Sequence, residues 1–277
     1  MRASIPLFLL LGVLADARVV QAEPGKAAPR GAIARMDIGP AVAKLKSANQ
    51  DTVRAGLDEI RIGATSASAA APAVADLLGR GLSDTLTHQA IDTLGDLESP
   101  DGSPVLAQYA SHRTVALRRA AVKALTRTMG ASAAPALRHS LADADAQVRG
   151  TAAAGLGALK AKDAVPDLFV ALDHKVTEAA AAIGQLCNSD QCDQLAGKLG
   201  KLPFDIVTSG LEQVLGRPAN DIPDDAKIKT IGKLRELGTA EGNRFLKEVE
   251  KHLPKDASAR LKQAVDQAIK ATNGATT

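Results

Sequence analysis

AQVRGTAAAGLGALKAKDAVPDLFVAL, Ala146 to Leu172, is the stretch that decides the fold. Val148, Ala152, Ala153 and Leu156 recur at helical spacing and share one helix face. Gly157 follows and reads as a helix stop, because glycine tolerates a left-handed backbone. Pro166 reads as the start of a second helix, where its missing N–H would be unpaired anyway. Leu168 and Leu172 then form an i, i+4 pair on one side of that helix. The stretch describes two antiparallel helices joined by a turn.

The same signal returns along the chain. The apolar anchor falls at Ile62, Leu94, Leu125, Leu156 and Ile183, and glycine follows at Gly63, Gly95, Gly157 and Gly184, with Thr126 the exception. Ten residues after each anchor come Pro72, Pro104, Pro135, Pro166 and Asp193. Each is read as a helix start; Asp193 would suit the positive end of the helix dipole. Five matches in register predict a repeat. The second helices share an inner stripe of Val74, Leu106, Leu137, Leu168 and Leu195, then Leu78, Ala110, Leu141, Leu172 and Leu199. The first helices supply Val53, Leu57 and Ile60; Leu86, Ala90 and Ile91; Leu117, Ala121 and Val122; and Val148, Ala152 and Ala153.

Composition agrees. Hydrophobic residues make up 45% of the 277, enough for a sizeable core, but aromatics are only 2%. A thin core of Ala and Leu between closely packed helices suits that balance. The expected fold is all-α, a right-handed α-solenoid of stacked antiparallel helix pairs. Residues 40–48 would form an N-terminal capping helix and 49–202 five repeats. Residues 203–271 would form divergent C-terminal helix pairs and a cap, covering the exposed end of the stack. Residues 272–277 read as a disordered tail.

The first 22 residues read as a signal peptide. Arg2 is positive, and Ile5 to Leu14 is an apolar run too short to span a bilayer. Small residues precede possible cleavage points after Ala22 or Ala17. Residues 23–39, with Pro24, Gly25, Pro29, Gly31 and Gly39, read as a flexible tether. Export to a periplasm, or secretion, is the expectation, with no membrane span after cleavage. The net charge of +3 is too small to imply nucleic acid or an anionic membrane as partner.

The residues quoted above carry a resemblance. Gln147-Val148-Arg149, Ala152-Ala153, Leu156-Gly157 and Ala164-Val165-Pro166-Asp167-Leu168 resemble the consensus of the short bacterial HEAT repeat, also called the phycobilisome-lyase HEAT-like repeat. Leu117-Arg118, Ala120-Ala121-Val122 and Leu125 form a second good copy. Thr87 stands where the arginine would be in the second repeat, and the fifth is shortened. The resemblance covers about residues 50–202. It implies a solenoid used for protein–protein binding, with the second helices on its concave face. It also implies that Arg54, Arg118 and Arg149 pair with acidic groups of neighbouring repeats as structural ties.

Chemistry-bearing motifs are few. Cys187 and Cys192 lie five apart in the turn of the fifth pair, and in an oxidising compartment they would form a disulfide; free thiols are the alternative. Zinc would need two further ligands, and no histidine is near in sequence. The histidines are His88, His112, His139, His174 and His252, and none is followed by Glu. The His-Glu pairs of deoxyhypusine hydroxylase, an enzyme built from HEAT-like repeats, therefore have no counterpart. Neither a Gly-x-Ser-x-Gly nor a His-Glu-x-x-His motif occurs. No metal, cofactor or catalytic residue is expected.

What remains is a surface. On the second helices the positions off the inner stripe are Asp76, Arg80, Gln108, His112, His139, Asp143, Val170, His174 and Lys201. These are the candidate partner-binding residues, against the alternative of an ordinary solvated face. The expected function is an exported, non-catalytic, monomeric scaffold that binds a protein partner. The alternatives are a structural spacer or capping subunit of an envelope assembly, and a lyase or other enzyme of the repeat family.

Overall fold

The computed structural model describes residues 37–254 and 257–273. The expected signal peptide and nearly all of the tether lie outside the described residues.

The described residues form helices and short 3-10 turns. A short first helix, α1 (Gly39–Lys44), packs on α2 (Gln50–Gly63) and buries Ala41 and Leu45 against it. Helix pairs follow: α2 with α3 (Ala71–Leu78), α4 (Asp84–Leu97) with α5 (Ser103–Tyr109), and α6 (Val115–Thr128) with α7 (Ala133–Ser140). Next come α8 (Ala146–Ala158) with α9 (Val165–Asp173), and α10 (Glu178–Leu186) with α11 (Ser189–Ala196). The last are α12 (Phe204–Gly216) with α13 (Asp224–Leu237), and α14 (Ala240–His252) with α15 (Ala259–Thr272). The first helices stack in chain order, α2 on α4, on α6, on α8, on α10, on α12. Among the second helices α5 packs on α7, α11 on α13 and α13 on α15. The result is a layered all-α array with one continuous apolar core.

Every first-helix residue assigned inward is buried, from Val53, Leu57 and Ile60 to Val148, Ala152 and Ala153. The second-helix stripe is buried too, except Leu199, which is partly covered. Ile62 is a correction. It is 82% exposed, and Ile60 holds the inward position at the end of α2. The anchor-and-glycine register therefore lands two residues late in the first repeat.

The glycines have a different role from the one expected. Gly95, Gly157 and Gly184 lie inside α4, α8 and α10, not beyond their ends. They mark places where neighbouring first helices touch. A Cβ on Gly184 would fall 2.0 Å from the Gly210 carbonyl oxygen of α12, and one on Gly210 would fall 2.4 Å from the Ala180 oxygen. Only a residue without a side chain permits that approach. The positive-φ positions near the ends of these first helices are held instead by Ala64, Glu98, Met129 and Lys160, while Gly238 does close α13 in the left-handed conformation.

Second-helix starts are more varied than one proline. Pro72, Pro104 and Pro166 stand in the first turns of α3, α5 and α9, and the 3-10 turns 64–70, 100–102 and 162–164 lead into those helices. Asp193 does not start a helix. α11 begins four residues earlier, where Asn188 and Gln191 form a reciprocal capping box. Asp193 instead faces Lys229 and Lys233 of α13, at 2.9 and 3.2 Å. Thr272, expected in the tail, is the last residue of α15. It is buried, and its hydroxyl accepts from Asn243 Nδ2 at 2.8 Å.

Candidate functional site

The second helices end in turns that run into the next first helix, and the polar residues cluster there. In the third repeat Arg118, one turn into α6, donates to the backbone oxygens of His112 and Arg113 through Nη1, at 3.0 and 3.3 Å. Its Nε and Nη2 bind both oxygens of Asp143 at 2.7 and 2.9 Å, a bidentate pair with little solvent exposure. Asp143 Oδ1 also accepts from the Asp145 N–H at 2.8 Å. The Arg118 hydrogen bonds hold the Asp143 carboxyl below its ordinary range. A carboxylate so stabilised is a poor base. Beside it Arg119 grips Asp145 and lowers that carboxyl from 3.8 to about 2, while Asp145 also caps α8 by accepting from Val148 N.

Five of the candidate partner-binding residues come together around this tie. His112, His139 and Asp143 line a hollow of about 310 Å³ with Arg118. Asp143, Val170 and His174 line the next one, about 460 Å³, with Arg138, Arg149 and Asp167. Val170 is 58% exposed, an apolar side chain on an otherwise polar rim. The histidines differ. His112 is half-buried, stacks on Tyr109 with ring centroids 5.6 Å apart, and accepts from Thr114 N–H at 3.1 Å. His139 and His174 are exposed.

Asp76, Arg80, Gln108 and Lys201 are exposed but line neither hollow. Arg80 donates to the Leu45 carbonyl at 3.1 Å and so fastens the first pair to the end of α1.

Of the three arginines that the resemblance makes ties between neighbouring repeats, Arg118 finds a carboxylate, and that acid lies at the end of its own repeat. Arg149 instead donates Nη1 to the carbonyls of Asp143 and Ala144, at 2.7 and 3.0 Å, and makes no ion pair among the described residues. Arg54 is exposed and makes no ion pair among the described residues either. The repeats are tied elsewhere by pairs that the sequence reading passed over. Asp96 on α4 lies between Arg61 of α2 and Arg127 of α6, at 3.0 and 2.9 Å. Three charges recurring at near-repeat spacing were the available signal.

Cys187 and Cys192 form a disulfide with Cα atoms 5.3 Å apart and both side chains buried. The bond joins the end of α10 to the interior of α11, not two points of a loop. Arg217, from the 217–223 segment, closes over it. Its Nη1 donates to the carbonyls of Cys187 and Gly184 at 2.7 and 3.2 Å, and Nε binds Asp221 at 2.8 Å. At the C-terminal end two wider grooves of about 710 and 850 Å³ open beside α12 and α14, both reaching Phe245 and Glu248.

Among the described residues no group of His, Cys, Asp and Glu is arranged to hold a metal ion, and no helix is long and apolar enough to cross a membrane.

Residues 71–154 match the family model for HEAT repeats. Among solved structures, the CpcE–CpcF complex of phycocyanin lyase from Nostoc sp. PCC7120 is 18% identical, covering 91% of this chain and 99% of that one at a TM-score of 0.45. The designed armadillo repeat protein YIII(Dq)4CqI is 14% identical over 84% of this chain and 98% of its own, TM-score 0.40. Human deoxyhypusine hydroxylase is 15% identical over 86% and 95%, TM-score 0.35. No curated protein matches the chain in sequence.

Proposed function

We propose that this protein is an exported, non-catalytic scaffold of HEAT-like repeats that binds a protein partner through the surface at the second helices. The observation that supports the reading most is the contrast between a uniform core and a varied rim. The buried stripe repeats almost unchanged, while the residues lining the two adjoining hollows differ from copy to copy. Position 112 is His, 143 is Asp and 174 is His at the same place in successive repeats. Variation on a rigid frame is what a recognition surface requires. The apolar run Ile5–Leu14 and a disulfide between the only two cysteines support export, since disulfides persist in oxidising compartments.

Crosslinking in the native host followed by mass spectrometry tests the reading. A protein attached near 139–174 is expected. Attachment confined to the opposite layer of first helices would overturn the choice of surface. A metal or chromophore copurifying with the chain would favour catalysis.

A further inference from the structure

The third and fourth repeats carry the same arginine in the same setting, and only one of them has its acid. Arg118 and Arg149 are 31 residues apart, as are Asp143 and His174. Arg118 Nη1 donates to the carbonyls six and five residues before it, and Arg149 Nη1 does the same. In the third repeat the remaining fork, Nε and Nη2, closes on Asp143. In the fourth repeat the position of that carboxylate is held by His174, which is exposed, and among the described residues the Arg149 side chain makes no other hydrogen bond or ion pair. The two acids that line the same hollow are engaged: Asp143 by Arg118, and Asp167 by Arg138 at 2.7 Å. Arg149 and His174 both line the 460 Å³ hollow, whose apolar wall includes Leu141, Val170 and Ala171.

We infer that the Arg149 fork is a recognition site for an Asp or Glu side chain of the protein partner, which completes the pair that Asp143 completes within the chain one repeat earlier. The inference rests on the protein-binding reading and names the chemistry of the partner. Two carbonyl bonds fix the guanidinium, so little side-chain freedom is lost when a carboxylate docks bidentately. The open space beside it accommodates a residue flanking the acid, with Val170 as the apolar contact. Charge complementarity decides for an acidic group over a basic or neutral one.

The test uses the full chain labelled with 15N-arginine, with the Arg149 Nε–Hε resonance assigned from its loss in Arg149→Gln. The probes are the blocked peptides acetyl-Leu-Glu-Leu-amide and acetyl-Leu-Gln-Leu-amide. The glutamate peptide is expected to shift the Arg149 resonance saturably, and the glutamine peptide to bind about tenfold more weakly. His174→Asp supplies an internal carboxylate and is expected to abolish the shift; His174→Asn is expected to keep it. Equal shifts with both peptides, no saturable shift, or unchanged titration of a folded His174→Asp would each overturn the site. Crosslinking in the host separates this from the broader reading. Partners captured undiminished by His174→Asp sink the Arg149 site and leave the scaffold standing. An Arg149 that titrates in a chain capturing no protein sinks the protein partner and leaves a carboxylate site.

Discussion

Replacing Gly184 with alanine tests whether the recurring glycines are contact points rather than helix stops. The new Cβ would lie 2.0 Å from the Gly210 oxygen, 2.8 Å from its carbonyl carbon and 2.9 Å from Gln213 Cβ. Two of those atoms are backbone, so no rotamer change relieves the clash. Restoring ordinary contact requires α10 and α12 to part by about 1.5 Å, which opens packing around buried Ile183, Val207 and Leu211. Overpacking of this kind costs about 1–3 kcal/mol, and alanine returns about 1 kcal/mol of helix propensity. With the clash at the upper end of that range, the net loss is about 2 kcal/mol, or roughly 4–8 °C in Tm for a domain this size. Gly232, inside α13, is the matched control. A Cβ there meets nothing within 4 Å, so Gly232→Ala gains about 1 kcal/mol. Thermal and urea unfolding of both variants, followed by circular dichroism, read the difference. A Gly184→Ala protein as stable as the parent would refute the close-approach argument, and a Gly232→Ala protein of lower stability would refute the propensity argument.

Acid stability follows from the ties of the third repeat. Asp143 and Asp145 have depressed folded-state pKa values, so the stability they add is present above the ordinary carboxylate range and lost as pH falls through the folded values; for Asp145 that window runs from 3.8 to about 2. Asp145→Asn keeps a side chain able to cap α8 but removes the charge, and its unfolding midpoint should fall less steeply across that window than the parent's; parallel curves would count against the Arg119 pair. Reducing the Cys187–Cys192 bond, or changing both residues to serine, should lower stability by about 2 kcal/mol, the worth of closing so short a loop, with Tm in and out of reductant as the measure. Glu98 ends α4 at φ 51°, and Glu98→Gly should raise stability by up to about 1 kcal/mol in urea titrations. A loss there would mean that the Glu98 side chain makes a contact worth more than the strain.

The architecture was legible because burial obeys a period. Leu86, Ala90 and Ile91, like Leu117, Ala121 and Val122, have to face inward whatever else the chain does, and a helix leaves only one spacing for that. What glycine does at that spacing was not legible. A helix stop and a close helix contact both call for a missing side chain, and the sequence shows the residue without the neighbour that needs it. Gly184 meets Gly210 across 26 residues, a contact that only the stacked arrangement creates. Asp193 misled for a related reason. It stands where the other copies have proline, but a local capping box at Asn188 begins the helix four residues earlier. Half of the candidate surface was legible in the same way. Counting from the prolines placed His112, His139, Asp143, Val170 and His174 around two hollows, but it missed that Arg80 is engaged with Leu45.

Repetition supplies its own control, and this makes the fourth repeat informative. Residue 87 is Thr, 118 is Arg and 149 is Arg, while the paired positions are His112, Asp143 and His174. In the second repeat neither member of the pair is kept, and His112 is absorbed by Tyr109 and Thr114. In the third both members are kept and they bind each other. In the fourth the arginine is kept, its carbonyl contacts are kept, and only the acid is missing. The two backbone bonds hold the Arg149 guanidinium in place without the acid. Its retention in the same hydrogen-bonding position beside an open hollow is what separates a prepared donor from a stray charge on a solvated face.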